Sequence, residues 1–119
     1  MLLNTKLKRL RRAKSTRIKI ENSGKFRLVV YKSNNHIYAQ IVDPSSSNIV
    51  VSSSTTEEKV RKQHPRGGTI EAAKFIGQLI AEKSINAQIT EVAFDRSGFK
   101  YHGRIKALAD AARSSGIMF

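Results

Sequence analysis

Between residues 25 and 52, apolar side chains fall on alternate positions. Phe26, Leu28 and Val30 alternate with Arg27, Val29 and Tyr31, and Ile37, Ala39 and Ile41 alternate with His36, Tyr38 and Gln40. Successive side chains of a strand point to opposite faces, so each run predicts a half-buried strand. Ser33, Asn34 and Asn35 supply a tight turn between the two. Asp43, Pro44 and the serines after them supply another before a third strand at 49–52. Connections this short favour an antiparallel meander. Its inner face is aliphatic, and its outer face carries Arg27, Tyr31, His36, Tyr38, Gln40 and Ser52 with no acid.

The period then lengthens. Thr55 and Glu58 stand at capping-box spacing, which predicts a short helix ending before Pro65. Residues 64–68 read as a flexible connector, since Gly67-Gly68 is too short for a phosphate-cradling loop and no Lys-Ser or Lys-Thr follows. Thr69 is placed to cap the main helix, with Glu71 in its first turn. Ala72, Phe75, Ile76, Leu79 and Ile80 then recur at helical spacing. After a break at 86–88, the apolar run 89–94 reads as a buried strand. Ile105, Leu108, Ala109 and Ala112 mark a last helix over 104–115, with Gly116 placed for a left-handed cap and Ile117 for its apolar contact. A strand, a crossover helix and a strand predict parallel pairing with a right-handed connection. The expected fold is α/β: a mixed sheet of an antiparallel three-strand meander plus a parallel strand, with two helices packed on one face and the other face free. The expected division is a basic arm at 1–22 and a single globular α/β domain at 23–119.

Charge changes this picture. Lys and Arg number 22 against 9 Asp and Glu, a formal net charge of +13. Such self-repulsion does nothing for a folded domain, so a polyanionic partner is implied, nucleic acid first and an anionic membrane surface second. Residues 1–20 hold eight cations, Lys6, Lys8, Arg9, Arg11, Arg12, Lys14, Arg17 and Lys19, and no acid. A block like this is expected to be mobile when free and to fold against a polyanion. Leu3, Leu7 and Leu10 have helical spacing within it. An organelle transit peptide is also Arg-rich and acid-poor, but hydroxyl residues are few here. A membrane-surface helix would need a wider apolar face. No apolar run approaches membrane-spanning length, and the N-terminus lacks the apolar core of a secretory signal. Cysteine is absent, which excludes disulfides, thiolate metal sites and cysteine catalysis and fits a reducing compartment.

Residues 95–104 form the remaining candidate site. They lie between strand and helix, and in open α/β sheets ligands gather beyond the carboxyl ends of strands. Arg96, Lys100, Tyr101, His102 and Arg104 place cations and rings together, suited to phosphates and bases. On the sheet, Tyr31, Lys32, His36, Tyr38 and Gln40 offer stacking planes and hydrogen-bonding groups. Plain structural readings stand beside these: Asp95 capping a turn, Phe99 packing under the loop, and the tyrosines serving cross-strand packing. Catalysis finds little support. His36, His64 and His102 have no second ligand at helical or strand spacing, and Ser97 with His102 and Asp95 lacks a nucleophile elbow. No enzyme activity, cofactor, metal or small-molecule substrate is expected.

The segments 36–41 and 94–113 closely resemble the family of the bacterial-type large-subunit ribosomal protein numbered eighteen. Arg27 to Val30, Ser54-Thr55, Glu71 to Ala73, Gly77, Ile80 to Glu82, Gly116 and Phe119 match in order and spacing. The likeness spans essentially the whole chain and departs at 64–68 and in the exact sequence of the arm. It implies a non-enzymatic protein of the cytoplasmic ribosome, in the central protuberance of the large subunit. Such a protein would bind 5S rRNA, bridge it to 23S rRNA and neighbour the other 5S-binding protein. By the same resemblance, Lys6 through Lys19 and Arg27, His36, Tyr38 and Gln40 would face RNA. The competing reading is an RNA-binding regulator or chaperone outside the ribosome. The lack of an RNP-type sheet signature weighs against one version of it.

Overall fold

Alternation builds the predicted meander. In the computed structural model, which describes residues 2–119, β1 (Arg27–Lys32), β2 (Ile37–Val42) and β3 (Ile49–Ser54) pair antiparallel in chain order. Leu28 stands opposite Ile41, Val30 opposite Ala39, and Gln40 opposite Ser52. Leu28, Val30, Ile37, Ala39 and Ile41 are fully buried, so the aliphatic face is the core face. Asp43 closes the turn after β2, its Oδ1 accepting from the Ser45 hydroxyl at 2.7 Å and the Ser45 amide at 2.8 Å. Those bonds favour the ionised form and hold its carboxyl below the ordinary carboxylate value.

Three helices follow the meander: α2 (Glu58–Gln63), α3 (Ile70–Asn86) and α4 (Gly103–Ser114). Thr69 caps α3 as predicted, its hydroxyl accepting from the Ala72 amide at 3.1 Å, a bond typically worth about 1 kcal/mol. Ala73, Ile76 and Ile80 of α3 and Ile105, Leu108 and Ala112 of α4 share one buried cluster with the aliphatic sheet face. The two helices cross closely at Gly77, where a Cβ would collide with the Leu108 carbonyl oxygen and lie 2.9 Å from the Ala111 side chain. Helix α4 ends as predicted, the Gly116 amide bonding Arg113 O at 3.1 Å and the buried Ile117 bonding Ala112 O at 3.4 Å.

Three local expectations change. The Thr55–Glu58 capping box does not form, and Glu57, at the cap of α2, makes no side-chain cap bond. Thr55 is instead fully buried, and its hydroxyl accepts from the Ile37 amide at 3.0 Å, joining the end of the meander to the start of β2. The connector at 64–68 is packed rather than loose. Gly67 is buried against Thr55 and the Asn35 carbonyl, and the His64 ring lies 4.9 Å from that of Phe75. The run 89–94 yields only β4 (Ala93–Asp95), parallel to β1, with Arg27 opposite Ala93 and Val29 opposite Asp95, in the order β3-β2-β1-β4. Upstream of β4, Thr90 and Val92 bond Met118 at 2.9 and 3.0 Å. The run is apolar because Ile89 and Val92 are buried, and burial alone does not require a sheet ladder.

The largest departure is at the N-terminus. The expected loose arm is a continuous helix, α1 (Leu2–Ser23). Met1 of that segment, and the side chain of Leu3, lie outside the described residues. Arg9, Ala13, Thr16 and Ile20 recur at helical spacing and turn toward the protein, with Ala13 and Ile20 buried, while Leu7 and Leu10 are exposed. The second sheet face is therefore not wholly free. Helix α1 crosses its β1–β4 half, with the Arg9 guanidinium 5.8 Å from the Tyr31 ring and Arg17 beside Asp95. The β2–β3 half stays open.

Gly77→Ala should cost about 1–3 kcal/mol by overpacking the α3–α4 crossing, whereas Gln78→Ala on the exposed side should stay within about 0.5 kcal/mol. Urea unfolding midpoints read both, and equal midpoints would mean the helices part without cost.

Candidate nucleic-acid interface

Asp95 ends β4 and opens the turn that shapes the site. Its Oδ1 accepts from the Ser97 amide at 2.9 Å, and Ser97 and Gly98 both adopt positive φ, 56° and 77°. The turn aims two carbonyls at α1. Arg9 donates to Ser97 O at 2.9 Å and Arg12 to Gly98 O at 3.2 Å. Helix and loop touch so closely that a Cβ at Gly98 would collide with the Arg9 carbonyl. The other carboxylate oxygen, Oδ2, lies 3.8 Å from Arg17 Nε and 3.8 Å from Arg27 Nε. Asp95 is fully buried, and neither Oδ2 nor Arg27 Nε has a hydrogen bond among the described residues.

Docking of α1 leaves a groove of about 910 Å³ between the helix, the β1–β2 turn and the loop before α4. Lys6, Arg9, Arg12, Lys32, Lys100 and Arg104 line it together with His102, and no carboxylate among the described residues does. Phe99 gives it an aromatic wall. Arg9 lies 4.5 Å and Lys32 Nζ 5.5 Å from that ring, and Tyr31 meets it edge-on at 5.5 Å. Gly103 and Arg104, at the N-terminus of α4, also border the groove, and His102 at the cap makes no side-chain cap bond. The partial positive charge of that helix end adds to the cations.

A smaller depression lies across β1 and β2 on the same sheet face, lined by Val29, Tyr31, Ser33, Tyr38 and Gln40. Tyr31, Tyr38 and His36 form a row with ring separations of 6.2 and 6.3 Å. His36 Nδ1 is held 3.0 Å from the Thr55 hydroxyl.

The predicted residues thus divide. Lys8, Arg11, Lys14 and Lys19 are exposed on α1, and Arg96 is exposed on the loop. Arg27 is turned into Asp95, and Arg104 donates to Ser33 O at 2.7 Å, tying α4 to the β1–β2 turn. Tyr101 joins a C-terminal cluster, where its hydroxyl lies 3.1 Å from Asp110 and 2.8 Å from Arg113, and its ring meets Phe94. The sequence reading gave Phe99 only a packing role and passed over Asn34 and Ile70, which also line the groove. An aromatic ring within a cationic loop was the available signal for Phe99. Nothing local marks the other two.

An α/β sheet carrying a cationic groove lined by no carboxylate among the described residues, with a ring-bearing face beside it, has the chemistry that suits a polyanion. Residues 3–119 match the family described as Ribosomal L18 of archaea, bacteria, mitochondria and chloroplasts. The chain is 74% identical over 119 residues to the large ribosomal subunit protein uL18 of Nitrosomonas europaea, covering all of both chains. It is 55% identical over 111 residues to that of Nitrosospira multiformis, covering 93% of this chain and 94% of the relative. The protein of the same name from Coxiella burnetii is 54% identical over 112 residues, covering 94% and 96%. The chain belongs to the ribosomal L18 family.

The two sheet faces make opposite demands on stability. Ile41→Ala should cost roughly 2–5 kcal/mol through a core cavity, whereas Tyr38→Ala should cost less than about 1 kcal/mol through a lost cross-strand contact. Thermal or urea unfolding checks the pair, and a larger loss for Tyr38→Ala would reverse the assignment of faces.

Proposed function

We propose that this chain binds 5S rRNA and helps attach it to 23S rRNA in the central protuberance of the large subunit of the cytoplasmic ribosome. The observation that carries the reading is the acid-free groove between α1, the β1–β2 turn and the loop before α4. Membership of the ribosomal L18 family makes the chain a structural component of the large ribosomal subunit and not an enzyme. Its partners are rRNA and neighbouring ribosomal proteins, among which we place the other 5S-binding protein.

The surface divides the work of binding. Lys6, Lys8, Lys14 and Lys19 present flexible point charges that contact phosphate without reading sequence. The cations of the loop are tethered between β4 and α4, so their spacing fits some RNA shapes and clashes with others. Tyr38 and Tyr31 offer planes for unstacked bases.

Neutralising about five phosphates gives a slope of log K against log salt of roughly −3.5 to −4.5. Substituting the four lysines of α1 by glutamine should reduce the slope by about one per lost contact and weaken 5S rRNA and tRNA alike. Arg96→Ala with Lys100→Ala should weaken 5S rRNA more than tRNA. Tyr38→Ala should lose about 1–3 kcal/mol of affinity where a base stacks on it. Two dissociation constants per variant at fixed salt decide the matter. A wild-type protein with no preference for 5S rRNA over tRNA, or one absent from large subunits sedimented in high salt, would defeat the proposal and favour a role outside the ribosome.

A further inference from the structure

Thr55 follows β3 and is fully buried, and its hydroxyl meets three groups. It accepts from the Ile37 amide at 3.0 Å, and it lies 3.0 Å from His36 Nδ1 and 3.4 Å from Ile37 O. A hydroxyl has one proton to give. Ile37 O already accepts the Thr55 amide at 3.1 Å, so the nearer and otherwise unserved taker is Nδ1. With Nδ1 accepting, the proton of the neutral imidazole sits on Nε2. Gly67 closes over the hydroxyl, where a Cβ would lie 2.7 Å from Thr55 Oγ1, so the connector keeps competing water away. The backbone of His36 is held separately, its carbonyl accepting from the Ser33 amide at 2.9 Å and from Arg104 at 3.4 Å. The half-buried ring borders a cleft of about 520 Å³ between the β1–β2 turn and residues 65–69. Asn34, Asn35 and Arg66 line that cleft too, and no carboxylate among the described residues does. None of these contacts involves α1.

We propose that Thr55 is a positioning residue for RNA binding: its buried hydroxyl fixes the His36 ring and sets its tautomer, so that Nε2–H donates to a backbone phosphate oxygen in the cleft beside Arg66. The inference rests on the RNA-binding reading and adds a contact point whose donor is aimed before the ligand arrives. A ring held in this way has little rotamer freedom left to lose on binding.

Nitrogen-15 shifts of the His36 ring in the free protein, read at about pH 8 where free imidazole is neutral, should show the Nε2–H tautomer. Thr55→Val removes the hydroxyl at nearly constant volume. The ring shifts should then move toward a mixture of tautomers, and 5S rRNA affinity per folded molecule should fall by about threefold to tenfold. Thr55→Ser keeps the hydroxyl and should restore both. His36→Ala should weaken binding by a similar factor, and adding Thr55→Val to it should cost no further affinity, since the ring it positions is gone.

That double variant is the readout that a merely structural role would not move. An Nδ1–H tautomer in the wild type, a Ser variant that behaves like Val, or a further loss of affinity in the double variant would each overturn the proposal. Should Thr55→Val fail to fold, the wild-type ring shifts and His36→Ala decide it, and unchanged affinity in His36→Ala defeats it. A protein with the expected tautomer that does not bind 5S rRNA would sink the RNA reading and the positioning role with it. One that binds 5S rRNA while its ring holds the proton on Nδ1 would sink the positioning role alone.

Discussion

A protein with a net charge of +13 must find oxygens for every arginine that it turns inward. That constraint organises the open side of the sheet. Arg17 and Arg27 converge on a single buried carboxylate, and Arg9 and Arg12 take the two carbonyls that the following turn exposes. The turn can present those carbonyls because Ser97 and Gly98 both take the left-handed conformation, and Gly98 leaves room for the helix backbone. The aliphatic core on the opposite face would form without any of this. Placement of α1, and with it the groove, would not.

Hydrogen bonding to a neutral carbonyl orients a cation without cancelling its charge. Arg9, Arg12 and Arg104 are fixed in this way, so they still contribute full positive potential to the groove while losing the freedom of a surface side chain. Arg17 and Arg27 share one negative charge between them and contribute less. The lysines of α1 keep both charge and mobility. The arginine fork suits the first task, since its planar geometry loses less entropy per bond than a lysine stem, and the compact ammonium suits the second.

Helix and strand periodicity made most of the fold legible. The core positions of β1, β2, α3 and α4, the Thr69 cap and the C-terminal end of α4 all follow from local pattern, because each is set by burial or capping of nearby backbone. What failed depends on contacts distant in sequence. Thr55 left its helical role for the Ile37 amide, 18 residues away. The run 89–94 owes its hydrophobicity partly to the C-terminal segment rather than to β1. The spacing of Leu3, Leu7 and Leu10 hinted at a helix in the arm, but the docking of α1 was illegible for a further reason. Among the described side chains its inward face has only Ala13 and Ile20 as buried apolar residues, and most of its docking is done by arginines reaching atoms more than 75 residues away, which a hydrophobic pattern cannot report. The candidate site was read as a set of cations and rings and not as one groove, because the helix that forms its wall was expected as an arm that orders only against a polyanion.

Tyr31 joins the two halves of that surface. Its ring meets Phe99 at 5.5 Å on the groove side and Tyr38 at 6.2 Å on the sheet side, with Arg9 above it. The cationic groove and the row of rings therefore adjoin through Tyr31, and a chain of phosphates laid in the groove would carry its bases toward the rings. Cations alone would accept any polyanion, and rings alone would hold a base too weakly to retain it. The two together favour a ligand with charge along its backbone and flat groups at its side. A regular duplex keeps those flat groups stacked away from the protein, so the rings have something to grip only where the nucleic acid departs from a helix.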